Sequence, residues 1–173
     1  MVGIRNNKEI SFTYFLDDIF KRATEQSAFF AKDKINQQGQ TLIDDIIISD
    51  DEKVFAEKAF KKSSLDVLEM LDELTSGIKK PLFADGEIIR LTIKANTNEM
   101  GKLITRESRL HIVDASIGNY LESYILAQWY SMKGFSDMYN HECDKMLHAK
   151  GELTAHVKRL RRSYVGRSYL GSF

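Results

Sequence analysis

The chain has 173 residues, 43% of them hydrophobic, with one Pro, 10 Gly, and 25 basic residues balanced by 25 acidic ones. That length suits one domain that removes roughly 70% of its unfolded surface from water, so no metal or disulfide is needed for stability. Zero net charge argues against a dedicated nucleic-acid binder, and the single Cys143 excludes an internal disulfide and reads as a reduced, packed thiol.

No apolar run approaches the ~20 residues of a membrane helix. The opening MVGIRNNKEISF lacks the apolar core and cleavage site of a signal peptide. The expectation is a soluble protein made and used without export.

Residues 1–9 are polar and read as an N-terminal arm, ahead of a helical bundle domain over 10–160. From Ser11 the apolar positions Phe12, Phe15, Ile19, Ala23 and Phe30 fall at steps of three and four, which predicts a first helix ending near Ile35, before Asn-Gln-Gln-Gly. TLIDDIIIS follows as a loop or brief extended piece. Ser49-Asp50-Asp51-Glu52 has the form of a capping box, and its acids suit the positive end of a helix dipole. A second helix is predicted over about Asp50 to Ser76, with Phe55, Ala59, Leu65, Leu68, Leu71 and Leu74 inward and Gly77 as C-cap.

Pro81 and Asp85-Gly86 then bracket a change of period. In Glu87 to Lys94 the residues Ile89, Leu91 and Ile93 alternate with Arg90, Thr92 and Lys94, the pattern of a strand. Asp-Gly is a hairpin signal, but Pro makes KKPLFA a poor partner, so the β element near 82–95 is expected to pack on the helices or to pair with a strand of another copy. Ile89, Leu91 and Ile93 are the residues assigned to that inter-subunit strand.

Asn96-Thr97-Asn98-Glu99 begins a further helical stretch with a break near Gly101. Leu110, Val113, Ile117, Leu121, Tyr124 and Ile125 then form a wide apolar stripe reaching Trp129 and Met132, stopped by Gly134. A fourth helix opens about Ser136, with Phe135 as a staple, and follows Met138, Tyr139, Cys143, Met146, Leu153, Val157 and Leu160. So short a link predicts an antiparallel hairpin of the last two helices. The fold class is mainly α: a four-helix-bundle-like domain, a small β-hairpin or strand insertion between helices two and three, and an extended C-terminal arm.

Candidate chemistry is sparse. Asp137 and His141, Asp144 and His148, and Glu152 and His156 lie four apart, the spacing of surface pairs on a helix. A di-metal carboxylate bundle needs Glu-x-x-His on two helices, which is absent, and no metal or cofactor site is assigned. His141 and Cys143, two apart on a helix, point about 200° apart and cannot share a proton. Phosphate-binding glycine loops and a nucleophile elbow are missing too, so the chain is read as a non-enzyme without cofactors. The aromatics Tyr120, Tyr124, Trp129, Tyr130 and Tyr139 are assigned to core and interface packing rather than to a ligand pocket.

Charge is unevenly spread. Asp44, Asp45, Asp50, Asp51 and Glu52 cluster early, whereas Lys158, Arg159, Arg161, Arg162 and Arg167 close the chain with no acid after Glu152. The C-terminal arm, taken as residues 161–173, interleaves those charges with Tyr164, Tyr169, Leu170 and Phe173. Arg alternating with aromatic anchors suits docking into a groove on another chain. The competing reading is nucleic-acid contact, Arg to phosphate and Tyr stacked on bases.

The helical domain with a β element before its last two helices, the segment YILAQWYSMKGFSDMYNHECDKM and the ending LRRSY resemble small neck proteins of tailed bacteriophages. The resemblance covers about residues 10–165 and is closest to head-to-tail connector or adaptor ring proteins of phages and prophages of Bacteroides-type hosts, including crAss-like phages. It implies a structural virion protein, made in the host cytoplasm and placed in the neck. Such subunits form rings, usually twelve-fold, that dock on the portal or an adjacent ring and extend the DNA channel without sequence recognition. Arg159, Arg161, Arg162, Tyr164, Arg167, Tyr169, Leu170 and Phe173 would then form the docking arm. The strand from Glu87 to Lys94 would pair with a neighbouring subunit or project toward the channel. The alternative from another class is a nucleic-acid-associated regulator that uses the basic tail.

Overall fold

A computed structural model describes residues 7–32, 34, 42–75, 82–84, 88–96 and 107–165. In chain order these form β1 (Asn7–Phe15), α1 (Leu16–Ala31), a one-turn α2 (Ile43–Ile46), a 3-10 turn (Asp50–Glu52) leading into α3 (Lys53–Thr75), β2 (Leu82–Ala84), β3 (Ile88–Asn96), α4 (Glu107–Lys133) and α5 (Ser136–Val165). The molecule is mainly helical, with four long helices among the described residues and one small antiparallel sheet of strand order β1-β3-β2.

The central element is α4. Val113, Ile117, Leu121, Ile125, Leu126, Trp129 and Tyr130 are buried, and so are Ser116 and Ser123 on its other sides. A helix buried nearly all round belongs in the middle of the domain, not on its surface. α5 packs along one side of it, α3 and α1 on others, and α2 against its C-terminal end. Trp129 locks that end. Its ring is 1% exposed, its Nε1 donates 2.8 Å to the Ile46 carbonyl, Phe55 tilts against it and Lys133 Nζ lies 4.6 Å from its centre.

The turn from α4 to α5 is closed by Gly134, whose φ of +80° is left-handed. Its N–H donates to Ser131 and the Phe135 N–H to Tyr130, the paired bonds of a Schellman motif. Phe135 folds back onto the core edge, and its carbonyl accepts from Tyr139 as α5 starts. The expected antiparallel hairpin is what forms.

The first element departs from its expected form. Ser11 to Phe15 are strand, and Asn7 to Glu9 belong to the same strand rather than to an arm: β1 pairs residue by residue with β3, from Asn7 opposite Asn96 to Phe15 opposite Ile88. The reason is a period of two hidden inside the helical spacing. Phe12 and Tyr14 are buried while Ser11 and Thr13 are exposed, and β-branched and aromatic residues favour the pleated surface. Helix α1 then begins at Leu16 and buries Leu16, Ile19, Phe20, Ala23, Ser27 and Ala31. The segment TLIDDIIIS also folds more tightly than expected, with Ile46 and Ile48 fully buried. Leu82–Ala84, after the Pro, does pair with β3 as the short arm of a hairpin.

α3 starts where the capping box predicts. Glu52 accepts the Ser49 backbone N–H at 2.9 Å and also the Ser49 hydroxyl. Of its expected inward face, Ala59 and Leu71 are buried and Phe55 and Leu68 pack against the core, whereas Leu65 is 51% exposed. Ala56, Phe60, Ser63, Ser64 and Val67 are buried as well. The two serines fit a core because their hydroxyls bond back to the Phe60 and Lys61 carbonyls at 2.9 and 2.6 Å, leaving no unsatisfied donor. Met132, expected on the buried stripe of α4, is 57% exposed. The side chain of Leu74 is outside the described ones, and Gly77, Pro81, Asp85-Gly86 and the helical stretch expected after Asn96 lie outside the described residues; Asn96 itself closes β3.

Replacing Trp129 by Phe keeps an aromatic side chain but loses indole volume and strands the Ile46 carbonyl, and is expected to lower the unfolding free energy by about 1–3 kcal/mol or more in urea titrations. The cap carries a pH signature. The Ser49 hydrogen bonds, helped by the Lys133 charge, hold the Glu52 carboxyl below its ordinary value of 4.5. A depressed folded value contributes stability that is complete above 4.5 and disappears as pH falls through the lowered value. Ser49→Ala is therefore expected to be less stable than the parent at pH 7, with the gap closing in acid; equal urea midpoints at pH 7 would contradict it.

Candidate functional site

The residues assigned to docking divide between two settings. Helix α5 does not stop at Leu160 but runs to Val165, so Arg159, Arg161, Arg162 and Tyr164 sit on helix rather than on an extended arm. Arg and Leu are good helix formers and nothing breaks the run before Gly166. Arg167, Tyr169, Leu170 and Phe173 lie outside the described residues.

The hairpin register fixes where the basic end falls. Ser116 Oγ donates 3.2 Å to Glu152 Oε2, so successive residues of α5 run opposite descending residues of α4, and Arg161 comes level with Glu107, the first residue of α4. Among the described residues, the last turn of α5 therefore runs past Glu107, the first residue of α4. At ~1.5 Å per residue, α5 spans about 45 Å. Its other end lies by the acidic 44–52 segment, through Trp129 on Ile46 and a cleft of about 300 Å³ lined by Lys34, Leu42, Ile46 and Gly134 to Met138. The early acidic cluster and the late basic cluster thus stand at opposite ends of the long helix.

The assigned inter-subunit strand is placed differently from expectation. β3 is the middle strand of its own sheet, with β1 on one side and β2 on the other. Ile89 and Leu91 are buried in this chain's core, so their side chains do not face a neighbour. Ile93 is paired with Ile10, and its side chain is outside the described ones. Among the described residues β1 and β2 are the two edge strands, each paired on one side only, with β3.

Sequence reasoning missed the interior polar cluster between α1, α4 and α5. Glu142 is fully buried. Its Oε1 accepts from Gln26 Nε2 and Lys145 Nζ, each at 3.1 Å, and Lys145 Nζ is also 3.1 Å from Oε2, which accepts no hydrogen bond. The Tyr130 hydroxyl is buried without a partner as well. Burial and then the Glu142 charge push its phenol above the ordinary range. A signal did exist: Met138, Glu142, Met146, Ala149 and Leu153 follow one face of α5, and reading Cys143 in place of Glu142 shifts that face toward solvent.

Around this cluster runs a polar cleft of about 290 Å³ lined by Gln26, Asn119, Glu122, Ser123, Lys145, His148, Ala149 and Glu152. Arg22 Nε donates 2.7 Å to Glu122 at its rim, and Gly118 leaves room for the guanidinium, since a Cβ there would come within 3.3 Å of it. The cleft mixes both signs and binds its own charges together.

The histidines and the cysteine go to separate partners. His141 stands edge-on to Phe30, ring centres 5.4 Å apart, and His148 Nδ1 lies 4.0 Å from Glu152, the acid that follows it rather than Asp144 before it. The hydrogen bond from Tyr139 to Cys143 raises the Tyr139 phenol. Among the described residues no group of three or more His, Cys, Asp or Glu could hold a metal, and no helix is long and apolar enough to cross a membrane. Comparison with protein-family models, with curated sequences and with solved structures finds no match to this chain.

A buried carboxylate held by one cation gives a direct test. Lys145→Met removes that cation and is expected to cost on the order of 3 kcal/mol of stability. The double variant Glu142→Met with Lys145→Met should recover most of the loss, because it leaves no uncompensated charge. Urea unfolding of the single and double variants decides it.

Proposed function

We propose that this protein is a structural subunit of a tailed-phage neck, an adaptor or connector that assembles as a ring and docks on the portal or an adjacent ring around the DNA channel. The observation that carries the reading is the end of α5. Lys158, Arg159, Arg161, Arg162 and Tyr164 ride a helix that runs past Glu107, the first residue of α4, and leads into the remaining aromatic residues of the chain. A basic, aromatic segment led past the body of a neutral bundle suits insertion into a groove of another chain, with Arg forming charge-assisted bonds and aromatic rings supplying buried area. The opposed acidic end favours a fixed polarity when subunits are stacked between two different rings. DNA would pass such a ring without sequence recognition, no cofactor is assigned to it, and its place would be the virion neck.

The same residues support a second reading, a nucleic-acid-associated regulator, because Arg also neutralises phosphate and Tyr stacks on bases. Deleting Ser163 to Phe173 separates the two. The neck reading expects the truncated chain to remain folded by circular dichroism but to lose co-purification with a co-expressed portal-class protein from the same genome. Undiminished co-purification would overturn the docking role. DNA binding that survives high salt, and is lost on truncation, would favour the regulator instead.

A further inference from the structure

We draw no further inference here: the strongest candidate, the polar cleft that α1, α4 and α5 enclose beside the buried Glu142, pairs its own charges, Arg22 with Glu122 and Lys145 with Glu142, and nothing in the structure shows a ligand that it would take.

Discussion

The structure depends on the burial of α4 and on how its C-terminal end is held. A helix buried along most of its surface has to be met by complementary surfaces from other elements, and α1, α2, α3 and α5 each meet it, with polar ties beside the apolar contacts. Trp129 is the clearest case. Its ring fills the space between α2 and α3 while its N–H satisfies a carbonyl of the one-turn α2, which has too few residues to hold itself. The described part of the link before α3 is thus tied to the C-terminal end of α4.

The polar ties act in the same way along the helix. Tyr14 of β1 donates 2.6 Å to Asp114, Tyr120 donates 3.1 Å to Asp66 of α3, Arg22 of α1 pairs with Glu122, and Gln26 of α1 reaches Glu142 of α5. Burial first, and then the neighbouring carboxylates, push the Tyr14 and Tyr120 phenols up, so these hydroxyls remain donors through the neutral range. Buried hydrogen bonds add little net energy, but breaking one is costly, so they select a single helix arrangement more than they drive collapse. Glu142 is the extreme member, a fully buried carboxylate neutralised by a lysine that keeps its own stem partly in water.

This arrangement takes β3 into the middle of the fold. The core uses Ile89 and Leu91 and both flanks of β3, which removes the strand that its sequence pattern nominated for pairing between subunits. Among the described residues, the outer sides of β1 and β2 and the basic end of α5 remain at the periphery.

Several features were legible in the sequence by itself. The helical hairpin follows from the apolar stripes on either side of Lys133-Gly134, because only a left-handed residue ends one helix and starts another within two positions. The start of α3 follows from Ser49 and Glu52, a local exchange of hydrogen bonds that needs no tertiary partner. Other features had no local cause. Ser11 to Phe15 satisfies both helical and strand periods, and the choice went to strand because β3, some eighty residues later, supplies the ladder. Glu142 looks like a surface acid paired locally with Lys145 until Gln26 of α1 is brought against it and the packing of α5 buries it. The fate of Ile89 and Leu91 was likewise decided by what packs beneath them. The sequence determined where helices begin and end, since capping and periodicity act within a few residues. The tertiary structure alone decided which charge is buried and which strand takes the middle of the sheet, since both depend on neighbours distant in the chain.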